Sequence, residues 1–313
     1  MIIRNGEIWK DTDGNAIHAH GGHVIFYGGL YYWYGEDRRD DYYVSCYSSP
    51  DLVSWTFRNH VLTAGSPAAP TRVRSDLRLK NENGRKVNLE RPKVLYNERS
   101  GKFVMWMHYE NGADYRCAAA AVASCDTPDG DFVYHGSFNP FGEMSRDCTL
   151  FADGDRAYFF SAARDNADMH MYLLQEDMLN VERLAGRFWP GEYREAPALV
   201  KKDGLYWFFS SFCTGWAPNQ CRYAVSRSLG EGFGMLRDVG DETTYRSQPA
   251  FIITLRGSET TSYIYAGDRW DAGNYFNSRY VWYPLELSDD GTARIIECAE
   301  LDVDAATGRI NCR

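Results

Sequence analysis

At 313 residues, 44% of them hydrophobic and 25% charged, the chain has the length for a full core, as one large β domain or two smaller ones. Its net charge of −9 argues against nucleic acid or an anionic membrane as partner, since both favour basic patches. No apolar run is long enough to span a bilayer, and the first residues, Met1 to Glu7, lack the apolar core of a signal peptide. The expected location is cytoplasmic, or secreted or periplasmic if a signal has been trimmed.

The chain opens with a turn cluster, Asp11 to Asn15, and a lead, Ala16 to Gly22. Strand-like runs follow at His23–Tyr27, Leu30–Glu36 and Tyr42–Ser48, with Gly28-Gly29 turning the first into the second. Trp55 closes this unit. Residues 64–88 are polar, carry Pro67 and Pro70, and read as a long surface loop that could wall a site. The pattern restarts at Leu89–Tyr96, returns through Lys102–Tyr109, and adds a third strand from Tyr115 to Ser124. It restarts again at Ser145–Phe151, where Asp153-Gly154-Asp155 turns into Ala157–Ser161.

The fourth restart is the most regular. Arg194-Glu195-Ala196-Pro197 leads an apolar run, Asp203-Gly204 makes a hairpin turn, and Leu205–Ser210 returns. A proline cannot donate to a ladder, so Pro197 sets Glu195 at the mouth of the sheet. The fifth unit begins Tyr245-Arg246-Ser247-Gln248-Pro249 and returns through Tyr263–Trp270. Helical periodicity is nearly absent; Gln175–Arg183 is the best short candidate.

One polar residue precedes each first strand: His20, Glu90, Asp147, Glu195 and Gln248. Their separations are 70, 57, 48 and 53 residues, near the ~40–50 of a four-stranded propeller blade. The expected fold is an all-β, five-bladed β-propeller in one domain, 1–313. A β-sandwich is the alternative, but it would not put a polar residue at the same place in every unit.

Eight cysteines are scattered with no C-x-x-C, which argues against a zinc ribbon or a thioredoxin-like motif. Cys46 and Cys148 read as small core residues, while Cys213 and Cys221 could bridge within one loop. With 22 Tyr and 9 Trp, the composition suits short strands or rings that stack on sugar faces.

These motifs resemble glycoside hydrolase family 43, and within it the exo-β-1,3-galactanases. The resemblance is carried by Ala19-His20-Gly21-Gly22 with Tyr32-Trp33-Tyr34-Gly35-Glu36, by Glu90-Arg91-Pro92-Lys93-Val94, by Ser145-Arg146-Asp147 and by Arg194-Glu195-Ala196-Pro197. It continues in Thr214-Gly215-Trp216-Ala217-Pro218-Asn219, Ser247-Gln248 and Gly267-Asp268-Arg269-Trp270, in order along nearly the whole chain. It implies a catalytic propeller without the sugar-binding module often attached, an inverting mechanism, and release of galactose from β-1,3-galactan. Two other readings stay open: an α-L-arabinofuranosidase of the same fold, and a non-catalytic glycan-binding propeller. Pro249 departs from the small polar residue expected after Ser247-Gln248.

Inversion needs a protonated acid at the leaving oxygen and a group holding water on the opposite face. Glu195 is the expected acid, because burial beside Ala-Pro and aromatics raises a carboxyl pKa. Glu90, opening the second unit, is expected to reinforce this as a second negative charge. The resemblance gives water activation to Gln248, through an imidic tautomer or by orienting water only; Asp147 and Glu90 are the conventional alternatives. By resemblance Asp147, Tyr115, Thr214, Asn219 and His20 bind sugar hydroxyls. Trp216 and Trp270 supply stacking faces or pack between blades, and Asp268-Arg269 forms a buried ion pair. His18, His20 and His23 lack an acidic or Cys partner, so neither a metal nor another cofactor is expected.

Overall fold

The computed structural model describes residues 2–72 and 74–313; residues 1 and 73, the latter in the expected 64–88 loop, lie outside this description. Among the described residues the structure is all β, with two 3-10 turns, Pro140–Gly142 and Tyr275–Asn277, and no α-helix. Five antiparallel sheets of four consecutive strands follow in chain order. The first is His20–Tyr27, Leu30–Glu36, Tyr42–Ser49 and Thr56–Thr63; the second is Asn88–Asn97, Lys102–Glu110, Ala119–Cys125 and Val133–Phe138. The third is Cys148–Asp153, Arg156–Ala163, Asp168–Leu174 and Val181–Phe188; the fourth is Arg194–Lys202, Leu205–Phe212, Cys221–Ser226 and Arg237–Val239. The fifth is Gln248–Arg256, Thr261–Arg269, Arg279–Leu287 and Ala293–Ile295. The first strand of each sheet packs on the first strand of the next, and the fifth sheet's packs on the first sheet's.

Hairpin chemistry sets these ladders. Asp203 and Gly204 both have positive φ and join a ladder running from Lys202↔Leu205 to Ala198↔Phe209. At the inner end the register slips just after the polar residue: between His20 and His23, Glu90 and Lys93, and Glu195 and Ala198. The next residues, Gly21, Arg91 and Ala196, have φ of 60°, 55° and 52°. Pro92 and Pro197 sit inside these slips, where no ladder donor is needed. The fifth sheet slips one step later, between Pro249 and Phe251, which accommodates the unexpected proline. Such bulges re-aim a side chain.

A sixth sheet joins the chain's two ends: Ile2–Arg4 pairs with Glu300–Asp304, which pairs with Arg309–Cys312. Asn5 locks this strap to the fifth sheet, donating from Nδ2 to Trp282 O and Cys298 O and accepting from Trp282 N. Trp9 then packs between Trp33 of the first sheet and Trp282 of the fifth, at 6.0 and 5.2 Å. Burying rings of this size supplies much of the core's stabilisation, roughly 25 cal/mol per Å² of apolar surface.

Several expectations are corrected. Within Gln175–Arg183, residues 175–180 form a turn, closed by Gln175 N to Asn180 O and capped by Asp177, and Val181 already opens the next strand. The third strand of the second unit starts at Ala119, so Tyr115 lies in a loop and its ring is free to enter a site. The described residues of the 64–87 segment have only isolated bridges, and Ala69 and Asp76 bond along the outer strand of the second sheet; at its end Lys86, Val87 and Asn88 line a cavity with Arg38 and Glu90. Cys46 and Cys148 are core residues as expected, whereas Cys213 and Cys221 do not bridge and are both free thiols.

Candidate active site

The slips bring Glu90, Glu195 and Gln248 to one place. A cavity of about 300 Å³ is lined by Glu36, Arg38, Glu90, Arg91, Tyr115, Asp147, Glu195, Gly215, Trp216, Gln248 and Trp270. It adjoins a second cavity of about 530 Å³, shares Gly215, Trp216, Gln248 and Trp270 with it, and meets Asn219, Asp268 and Arg269 there.

Glu195 stands half-buried where the fourth sheet begins. Burial first, then the charge of Asp147, pushes its carboxyl up to about 7, against the opposing pull of Arg91, Cys213 and Gln248. The second carboxylate acting on it is therefore Asp147, not the expected Glu90. Asn166 Nδ2 donates to Glu195 Oε2 at 3.3 Å and Gln248 Nε2 to Glu195 Oε1 at 2.9 Å. Asn166 ends a run of three left-handed residues, Arg164 to Asn166, in the loop between the second and third strands of the third sheet.

Glu90 has the opposite character. Burial favours its neutral form, but the hydrogen bond and charge of His108, with Arg38 and Tyr115, hold it down at about 2. Tyr115 Oη donates to Glu90 Oε1 at 2.7 Å and Arg38 Nη2 to the same oxygen at 3.2 Å. His108 lies between two carboxylates, Nε2 at 2.9 Å from Glu110 Oε1 and Nδ1 at 3.4 Å from Glu90 Oε2. These outweigh burial and raise it to about 9.

Arg91 is buried at the centre. Its Nε is 3.2 Å from Asp147 Oδ2, its Nη1 donates to Pro249 O at 3.0 Å, and its Nη2 donates to Gln248 Oε1. Glu90 and Arg91, though adjacent in sequence, do not pair with each other; a left-handed Arg91 sends the two side chains to different partners. Glu90, His108 and Asp147 bring possible ligand atoms within 4.8 Å of one another. The set fits a metal poorly: Arg91 and Arg38 already neutralise the carboxylates and His108 favours its cationic form.

His20 lines neither cavity. Its Nδ1 meets Asp268 Oδ1 at 2.8 Å, its ring stacks on Tyr280 at 4.3 Å, and Asp268 Oδ2 accepts from Gly21 N. A Cβ on Gly35 would fall 2.1 Å from Ala19 C, so only glycine lets the lead segment reach this place. Asp268 and Arg269 are not paired with each other: Arg269 bonds Tyr245 O and Tyr283 Oη, because adjacent strand residues point to opposite faces. Thr214 lines neither cavity, and Asn219 donates to Thr214 Oγ1 at 2.7 Å and to Phe212 O; both shape the loop that presents Trp216. Trp216 is 41% exposed and meets Trp270 edge-on at 5.7 Å. Sequence reasoning quoted Glu36 and Arg91 only as parts of motifs and missed Arg38, Asn166 and Ser211; the sole signal was the side-by-side Glu90-Arg91 and Glu36 with Arg38.

Residues 20–233 match the model of glycosyl hydrolases family 43. The fold is similar to an exo-β-1,3-galactanase from Clostridium thermocellum, with 46% identity and a TM-score of 0.92 over all of this chain and 68% of that one. It is similar to a variant of the Phanerochaete chrysosporium exo-β-1,3-galactanase solved with β-1,3-galactotriose: 33% identity, TM-score 0.88, all of this chain and 70% of that one. A β-1,3-galactosidase solved with galactodeoxynojirimycin, BT3683, shares 31% identity at a TM-score of 0.80, over 94% of this chain and 98% of that one. No curated protein matches the chain.

Proposed function

Because the chain belongs to glycosyl hydrolases family 43, we propose that this glycoside hydrolase is an exo-β-1,3-galactanase, releasing galactose with inversion from the end of a β-1,3-galactan. The five four-stranded sheets are, in this reading, the blades of a five-bladed propeller forming one catalytic domain. The observation that carries the chemistry is the contrast of two carboxyls on one cavity: Glu195 raised to about 7, Glu90 lowered to about 2. Environments that push two carboxyls apart assign acid and anion.

Glu195 gives its proton to the glycosidic oxygen as the C–O bond breaks and the electron pair leaves with that oxygen. Water attacks the anomeric carbon from the other face, and its proton passes to an ionised carboxylate or to solvent. The transition state resembles an oxocarbenium ion, so a strongly basic partner is not required. Glu90, held ionised, stabilises the positive ring and orients water; Asp147 keeps Glu195 protonated. Trp216 and Trp270 offer ring faces to the sugar.

The test is proton NMR of the enzyme on β-1,3-galactan from the first minute. Galactose should appear first as the α-anomer. Initial β-galactose overturns inversion, arabinose release from arabinogalactan in its place selects an arabinofuranosidase, and no sugar release leaves a binding protein.

A further inference from the structure

Four hydrogen bonds fill every polar position on Gln248. Its Oε1 accepts from Arg91 Nη2 and, at 2.8 Å, from Trp270 Nε1. Its Nε2 donates to Glu195 Oε1 and to Ser211 Oγ, both at 2.9 Å. Guanidinium and indole N–H groups only donate. Exchanging the amide's oxygen and nitrogen would set an NH2 against two donors, so the orientation is fixed by chemistry. The same two donors exclude a hydroxyl at that oxygen, which is what an imidic tautomer carries.

We infer that Arg91 is a positioning residue for the hydrolysis: with Trp270 it holds Gln248 as an ordinary amide whose N–H faces Glu195 Oε1, leaving the transferable proton on Glu195 Oε2. The inference rests on Glu195 being the acid. A neutral carboxyl has one carbonyl-type oxygen and one hydroxyl. Both oxygens accept an amide N–H, Oε1 from Gln248 at 2.9 Å and Oε2 from Asn166 at 3.3 Å; the shorter bond marks Oε1 as the carbonyl-type oxygen and leaves the hydroxyl on Oε2. After that proton has gone to the leaving oxygen, the same N–H becomes a charge-assisted donor to the new carboxylate. Gln248 thus serves the acid before and after transfer, and water's proton goes elsewhere.

Arg91 is itself fixed from three sides. Its guanidinium reaches Asp147 and Pro249 O, and its backbone N–H donates to Glu36 Oε1 at 3.1 Å. It belongs to the second sheet and grips the third and fifth, so it can transmit a displacement in either to the amide. The groups facing Glu195 are Asp147, Arg91, Gln248, Cys213 and Asn166.

The test compares Arg91→Lys, Arg91→Met and Trp270→Phe with wild type and Glu195→Gln. The readouts are melting temperature and the pH profile of kcat/KM on a β-1,3-galactan oligosaccharide and on an aryl β-galactoside with a good leaving group. Lysine keeps the charge but not the fork, so turnover on the oligosaccharide should fall by about 10²-fold with the basic limb unmoved. The aryl substrate, which needs less protonation, should lose clearly less. Methionine should add an upward shift of the basic limb, because a cation facing Glu195 is gone. Trp270→Phe removes one donor and should give a smaller loss with the same substrate contrast, in kcat rather than KM. Folded Arg91 variants that lose equally on both substrates, with the limb unmoved in both, overturn the inference. If neither Arg91 variant folds, equal losses on both substrates for Trp270→Phe do so. Wild type indifferent to Glu195→Gln would instead remove the acid assignment underneath.

Discussion

The backbone N–H of Ala196 donates to Asp147 Oδ2 at 3.1 Å, so the residue after Glu195 is tied to the carboxylate that, after burial, does most to keep Glu195 protonated. Arg91 Nε holds the same oxygen. One side chain at the inner edge of the third sheet thus acts on both the position and, after burial, the proton affinity of Glu195.

Asp147→Asn should lower the pKa of Glu195 by removing that charge. The acid is active when protonated, so activity is present below its pKa and lost as pH rises through it, by tenfold per unit. In wild type the basic limb of kcat/KM should break near 7. In the variant it should break at lower pH, and an unmoved or higher break would remove Asp147 as its cause.

Glu195→Gln keeps the shape and removes the proton. Turnover on galactan should fall by about 10²–10⁴-fold while oligosaccharide binding, measured by calorimetry, survives. An activated aryl galactoside should lose less. Turnover of the polysaccharide close to wild type would take Glu195 out of the reaction.

Gln248→Glu would set a second carboxylate about where Nε2 now meets Glu195, 2.9 Å away. Two carboxyls at that distance share a proton. The basic limb should shift upward, and activity at pH 6 should fall because the N–H donor is lost. Full activity with an unshifted profile would show that Glu195 does not need that donor.

Lys93 gives a prediction about stability. It is fully buried, its Nζ donates to Gly21 O and Gly22 O, and burial, then Arg91, lowers its pKa to about 7. Between that value and the unfolded value near 10.4, the unfolded chain binds a proton that the folded one does not, so stability rises with pH. The cost of burying the charge is complete below pH 7, on the order of 5 kcal/mol by linkage. Lys93→Met removes this dependence but leaves two carbonyls unpaired, about 1–3 kcal/mol each. Melting curves at pH 6 and 9.5 should show a rise in wild type that is reduced in the variant. Parallel shifts in both proteins would contradict the buried-charge account.

The strands were legible because Gly28-Gly29, Asp153-Gly154 and Asp203-Gly204 punctuate runs of aromatic and β-branched residues. The recurring polar residue was legible because three of the five units repeat one backbone event, the slip after His20, Glu90 and Glu195, and the fifth repeats it one step later. Gln175–Arg183 misled because its spacing allows a helical turn, whereas Asp177 and Asn180 satisfy the backbone as a tight turn. The second layer of the site was not legible. Arg91 reads as the partner of its neighbour Glu90 until a positive φ turns it away, and Asn166 and Ser211 reach Glu195 and Gln248 from separate hairpins. No spacing along the chain encodes such a meeting.

The register slips have an evolutionary consequence. Outward of each slip the ladder regains a regular pairing, as in Lys93↔Trp106 and Ala198↔Phe209. The residue at the lip is paired inward of the slip, His20 with Glu36, Glu90 with His108 and Glu195 with Ser211, and lies outside the regular ladder that runs outward from it. Exchanging a Glu for a His or a Gln there changes what the cavity can do while the outer strands keep their partners. Lineages carrying this architecture can alter their chemistry one lip residue at a time, with each intermediate still folded, whereas the residues two or three places outward are bound to the scaffold and should drift slowly.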